Sequence, residues 1–312
     1  MIVALAAISL MLVGLPGVLR PMGRRLHPAD WARGVAAALV AALLMWELTL
    51  LLIAAPVVLR AAGAHGLAAA CARMAGRLVP GGRWIGWPAA AGAVILPWMV
   101  VAGVRRARSA QRMLAEVALV GRRTTLVGCD VVVVDDERPV AVSVDAYGGV
   151  VVVSRALVEQ LDTDQLAAVV RHELAHLEHR HHLLLQLAAA AELSFGFLPG
   201  ARSGVDGLRC AIERWADEDA AGSNECVRRS TRRALVEVAV AGLAVDVAAF
   251  GGLATVVERV SALDGPAPGP TGLRRFYTMA PFALFGLGAV FAAVLIVARM
   301  WFILSMPVHC PI

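Results

Sequence analysis

Asp162-Thr-Asp-Gln-Leu-Ala-Ala-Val-Val-Arg-His-Glu-Leu-Ala-His176 is the stretch on which the reading of this chain turns. Leu166, Val169, Val170, Leu174 and Leu177 recur at helical spacing and predict one helix from Asp162 to the basic stretch at Arg180. Asp162 is its N-cap, Gln165 stands where a capping box needs it, and Asp164 puts negative charge on the positive end of the helix dipole. His176 stands four positions after His172, so the imidazoles stack on one helical face about 6 Å apart. Two ring nitrogens so placed grip one zinc ion, and Glu173 projects beside it to take a proton from bound water. The motif is His-Glu-x-x-His, and it predicts one Zn2+ per chain, with Glu173 as the catalytic base.

A catalytic zinc takes three protein ligands and keeps a fourth position open. Three residues are candidates for the third ligand. His179 lies seven residues from His172, about 10 Å along the axis, too far for all three imidazoles to meet one ion. His182 has the spacing of His-Glu-x-x-His-x-x-Gly-x-x-His, but that pattern turns the backbone at a glycine where this chain has His179. Glu213 fits better. It opens Glu213-Arg-Trp-Ala-Asp217, whose two carboxylates are four apart on a predicted helix, so one can bind the metal while Asp217 orients a ligand histidine through its other ring nitrogen.

The rest of the chain is strongly apolar. Hydrophobic residues make up 59% of its 312 residues, and the mean hydropathy is +0.71. Four runs have the length and composition of membrane spans: Ile2–Leu19, Val35–Leu59, Ile85–Val104 and Pro281–Leu304. Glu47 lies inside the second run, and Arg299 near the end of the fourth can snorkel. Arg20, Arg24, Arg25 and Arg33 follow the first run and Arg105, Arg106, Arg108 and Arg112 follow the third. Both clusters are expected in the cytoplasm, with the amino terminus outside. The formal charge is +5. Its basic residues are all arginine and flank apolar runs instead of lining one face, so nucleic-acid binding is not expected. Five cysteines form no Cys-x-x-Cys pair, which excludes a zinc ribbon and a thioredoxin-type site. The expected topology puts Cys71 and Cys310 outside, where a disulfide between them is open.

These runs divide the chain into residues 1–104 with three spans, an aqueous domain over 105–272, and 273–312 with a fourth span and short tail. Within the domain, Val131–Val134 and Val150–Val153 read as buried strands. Two further apolar stretches need a place. His182–Leu198 can dip into the membrane, whereas Ala234–Val257 reads as a packing helix of the domain. Arg228, Arg229, Arg232 and Arg233 are either a solvated face or a contact with anionic lipid. The stretch Gly265–Gly272 reads as a linker. The expected fold class is mainly α, a multi-span α-helical membrane protein with an α+β domain that holds the zinc.

Together, the His172-Glu173-x-x-His176 and Glu213-x-x-x-Asp217 motifs resemble the gluzincin membrane peptidases, namely the HtpX and CAAX prenyl protease families and the peptidase part of the BlaR/MecR sensors. The resemblance implies a zincin-like peptidase domain with His172, His176 and Glu213 on the zinc. It also implies that the strand Val150, Val151, Val152, Val153 receives substrate as an added strand. Three spans, a cytoplasmic domain and a fourth span look more like the BlaR/MecR layout, as does Arg180-His-His-Leu183. That layout implies a cell-membrane endopeptidase whose protein or peptide substrate includes a cytoplasmic transcriptional repressor. Quality control of membrane proteins, as in HtpX, is the alternative within the resemblance. A non-catalytic zinc-binding scaffold is the alternative from another class, and Glu173 argues against it because a structural site closes with four ligands and needs no base.

Overall fold

The two valine runs lie side by side. A computed structural model describes residues 2–75, 82–245 and 253–267, and in it β1 (Arg122–Leu126), β2 (Cys129–Val134), β3 (Ala141–Val144) and β4 (Val150–Ser154) form one sheet of order β1-β2-β4-β3. β4 runs parallel to β2, with Val131 opposite Val151, and antiparallel to β3, with Val142 opposite Val152. Valine suits this position because both faces are covered: Val131, Val151 and Val153 pack on one side, Val132, Val144 and Val152 on the other. Each such side chain contributes about 1.5–3 kcal/mol by leaving water.

This order corrects one expectation. Val150–Val153 have neighbours along both edges, so β4 has no free backbone edge for an added strand. The free edges belong to β1 and β3. The Ser154 amide donates to the Val140 carbonyl at 2.8 Å, which marks 140 and 154 as a hydrogen-bonded pair. Antiparallel pairs alternate, so Val142 and Val144 face β4, and the main-chain groups of Ala141 and Ser143 point to the open edge.

Around the sheet are α1 (Ile2–Val18), α2 (Arg20–Gly23), α3 (Pro28–Ala61), α4 (His65–Ala75), α5 (Gly82–Val120), α6 (Arg155–Gln160), α7 (Thr163–Glu178), α8 (His181–Phe195), α9 (Pro199–Ala221), α10 (Glu225–Val245) and α11 (Leu253–Asp264). Among the described residues, two helices are long and apolar enough to cross a membrane, α3 and the Trp84–Val120 part of α5. They correspond to the second and third expected spans. The first folds as a 17-residue apolar helix with Pro16 inside it, and Pro281–Leu304 lies outside the described residues, as does Cys310. Outward-facing Leu44, Trp87, Val94, Ile95 and Trp98 give α3 and α5 an exposed apolar surface suited to lipid.

The largest core crosses the boundary expected at residue 104. Leu12, Val13, Val35 and Leu39 of α1 and α3 pack with Ala188 and Phe195 of α8 and with Leu208, Ile212 and Trp215 of α9. The apolar stretch at 182–198 is thereby accounted for as α8, lying against α5 and α9. Where α5 and α8 cross, a Cβ on Gly103 would lie 2.7 Å from the Ala189 carbonyl oxygen and the Ala190 Cα. Only glycine lets the backbones approach so closely.

Candidate metal centre

The helix quoted at the outset is α7. Asp162 caps it, its side chain accepting from the Gln165 amide at 2.8 Å while the Gln165 side chain accepts from the Asp162 amide at 3.0 Å. Leu166 and Val170 bury one face against the sheet. The His172 and His176 side chains turn toward α9, their Nε2 atoms 3.2 Å apart. On α9, the buried Ile212 and Trp215 face the large core, and the same helical phase turns Glu213 and Asp217 back toward α7. Glu213 Oε2 lies 3.5 Å from His172 Nε2, and its Oε1 lies 3.7 Å from His176 Nε2.

Among the described residues, this trio is the one group of three or more potential ligands close enough to share an ion, with its donor atoms within 4.8 Å of one another. Two imidazole nitrogens and one carboxylate oxygen are the donors of a catalytic zinc site with its fourth position left open. Glu173 lines the same cavity. It makes no hydrogen bond or ion pair among the described residues, so its carboxylate is available as a base.

Each imidazole is held from behind. His172 Nδ1 donates to Asp217 Oδ1 at 3.0 Å, which leaves the Nε2 lone pair for a metal. His176 Nδ1 is 2.9 Å from His181 Nδ1. A metal on His176 Nε2 requires the proton on Nδ1, so His181 Nδ1 accepts, and His181 must be neutral. Burial supplies that neutrality, pushing the His181 pKa down to about 3. Burial also lowers His176. Burial opposes charge on His172 too, but its hydrogen bonds to Asp217 and Glu213 outweigh this and hold its pKa up to about 10. Desolvation would raise both carboxyls. Arg259 and His172 overcome it, bringing Asp217 down to about 2 and Glu213 well below the usual carboxylate range. The centre thus stabilises positive charge among these ligands, which fits a divalent cation.

Arg259 of α11 is the residue that sequence reasoning missed. Its Nε donates to Asp217 Oδ2 and its Nη2 to Asp217 Oδ1, both at 2.7 Å, while Nη1 lies 3.0 Å from Glu213 Oε2. His181 was missed as well. The turn between α7 and α8 comes at Arg180, in the left-handed region with φ 51°, one residue later than the His-Glu-x-x-His-x-x-Gly pattern expects. It brings His181 back onto His176 and sends His182 to Asp145, 3.2 Å away and outside the donor cluster. His179 stacks on Trp215, with ring centroids 4.5 Å apart, and pairs with Asp219.

Apart from the centre itself and Thr231 of α10, the cavity is lined by apolar residues. These are Ala168 and Val169 of α7, Leu235, Val238 and Ala239 of α10, Val256 of α11 and Ala141 of β3.

Comparison with known proteins bears on the same region. Residues 105–208 match the family model described as Peptidase family M48, one third of the chain. The matched segment holds the sheet, α7 and α8, including His172, Glu173 and His176, and ends just before Glu213. No curated protein and no solved structure matches the chain. The match supports a peptidase of the metal-dependent kind and, with it, a protein substrate.

Proposed function

We propose that this chain is a membrane-anchored zinc endopeptidase that cuts a protein substrate laid as an extra strand along β3. The observation that carries this reading is the position of Glu173, beside the His172, His176 and Glu213 donors and without an ion pair among the described residues, in a cavity lined in part by Ala141 of the edge strand β3. His172, His176 and Glu213 would hold the zinc, which supplies a Lewis acid that lowers the pKa of water to about 7 and polarises the scissile carbonyl. Glu173 accepts the proton of the attacking water on its carboxylate and passes it to the leaving amine nitrogen. Asp217 and His181 keep the two imidazoles in the tautomers that present Nε2.

Ala141 and Ser143 offer the outward main-chain groups that an extended peptide needs. The walls of Val169, Leu235, Val238 and Val256 favour an apolar side chain next to the cleaved bond. A cytoplasmic repressor and a damaged membrane protein both belong to this substrate class. The anchor is assigned to α3 and α5, with the centre on the side of the Arg20–Arg33 cluster.

Zinc content of the detergent-purified chain is the first test. About one zinc per chain, lost in His172→Ala and Glu213→Ala, supports the centre, and a wild type that takes up no zinc overturns it. Glu173→Gln should keep the zinc and lose cleavage of an extended apolar peptide. Cleavage at the wild-type rate would remove Glu173 from the mechanism. Ser143→Pro deletes one outward N–H without touching the β3–β4 ladder and should raise KM. An unchanged KM would move the substrate off this edge.

A further inference from the structure

Consecutive residues of α11 are tied to two different parts of the molecule. Arg259 grips Asp217 and Glu213 through three nitrogens. Glu258, about 100° further round the helix, accepts from Arg20 Nη2 at 3.1 Å and Arg24 Nη2 at 2.8 Å. Arg20 and Arg24 lie in and just after α2, the short turn that follows α1. The same turn reaches α9 directly, since the Arg24 carbonyl accepts from Arg214 Nη2 at 3.1 Å. α11 is therefore wedged between the metal centre and the end of the first apolar helix.

α11 also packs along α9 and α10. Leu263 is its one fully buried apolar side chain among the described residues. Its far end is held by Arg228, which donates to the Ala262 and Gly265 carbonyls, and by Arg232, which pairs with Asp264. Nearer the centre, Glu258 and Arg259 supply the charged contacts of α11.

We propose that α11 is a positioning element of the metal centre: Glu258, anchored on Arg20 and Arg24, presents Arg259 to Glu213 and Asp217 and so sets the ligand geometry. The proposal rests on the zinc reading given above. Its physical basis is the guanidinium fork, whose planar donors fix both carboxylates at once, as a lysine ammonium cannot. Asp217 in turn orients His172. A disturbance at the end of α1 thereby reaches two of the three zinc ligands through one rigid turn of helix.

Two explanations of Arg259 predict opposite signs. A guanidinium that acted only as a charge would repel zinc, so its removal would tighten binding. One that positions ligands would weaken binding when removed. The test is zinc affinity of the detergent-purified full chain, measured by chelator competition with zinc as the probe, alongside thermal unfolding of each variant.

Arg259→Ala is expected to weaken zinc binding by about 10- to 100-fold, the usual range for partners that hold metal ligands. Arg259→Lys should recover only part of this. Glu258→Gln touches no ligand, leaves the rest of α11 in place, and should weaken zinc binding by about two- to fivefold with at most a small drop in thermal stability. Arg20→Gln with Arg24→Gln should match it. The Glu258→Gln/Arg259→Ala double variant should bind no more weakly than Arg259→Ala alone, because both act through one contact.

Wild-type affinity in Glu258→Gln and in the Arg20/Arg24 variant overturns the proposal, as does tighter binding in Arg259→Ala, full recovery by lysine, or additive losses. If wild type binds zinc and these variants behave alike, only this inference fails. If wild type binds none, the metal reading fails and takes this inference with it.

Discussion

The two walls of the centre are held by different forces. On one side, α9 is packed into α1, α3 and α8 by apolar side chains, with glycines where α1 and α9 come close. On the other, α10 and α11 are joined to α9 and to each other by arginine and carboxylate: Arg228 with Glu218 and Arg259 with Asp217 and Glu213 reach α9, and Arg232 with Asp264 links α10 to α11. Close packing is indifferent to salt and pH and intolerant of added volume. Ion pairs tolerate small shifts but respond to protonation and to the loss of either partner. Glu213, the ligand that comes from the rigid wall, is thus held by a wall that chemistry can loosen.

The largest effect is expected where a charge is both buried and paired. Arg228 and Glu218 are 3% and 8% exposed, with Nη1 2.6 Å from Oε2. Arg228→Ala leaves the Glu218 carboxylate buried without its partner and should cost about 3–5 kcal/mol in thermal or denaturant unfolding. Arg228→Met with Glu218→Leu should recover most of that. A double variant as unstable as the single one would show that this wall, too, depends on specific geometry, and the contrast would break.

Behind the apolar wall, α8 is itself packed on α5, and that crossing is probed at Gly103. Gly103→Ala sets a methyl against the backbone of Ala189 and Ala190, atoms that cannot swing aside, and should cost about 1–3 kcal/mol, equally at low and high salt. A loss that varied with ionic strength would place charge at this crossing.

The smallest effect is expected at the partly exposed Glu258 cluster, and it carries a sign. Arg24 and Arg20 hold the Glu258 carboxyl below its usual value of 4.5 even though burial alone would raise it. A carboxyl lowered by folding adds stability that is fully present above its unfolded value and fades as pH falls below about 4.5. Arg24→Gln should therefore cost about 1 kcal/mol or less at neutral pH, less again in high salt, and nothing once Glu258 is protonated. An equal cost on both sides of that pH would make the Arg24 contact one of packing alone.

What could be read from the chain follows the range of the physics. The two histidines and Glu173 were legible because helix period and capping act within a few residues, and Glu213 with Asp217 because four-residue spacing puts both on one face. The valine runs were legible as strands, but their order was not. Whether β4 lies at an edge depends on β3, whose Ala141-Val-Ser-Val144 carries no turn signal or apolar run to mark it. Arg259 escaped because its partner Asp217 is 42 residues away, and an arginine near an apolar stretch reads as a boundary. His181 depended on a left-handed arginine, a conformation that residue type does not announce.

The capping box on α7 has a consequence for what the chain can tolerate by insertion. Asp162 pins the start of the helix, and His172 lies ten residues on, so the cap sets the rotational phase of both imidazoles as well as their height. One residue added between them turns the pair about 100° toward the sheet. Eleven added residues restore the angle, after about three turns, but lift the pair about 16 Å along the axis. No short insertion preserves both coordinates, so the ten-residue count from cap to first ligand is as much a part of the centre as the ligands themselves.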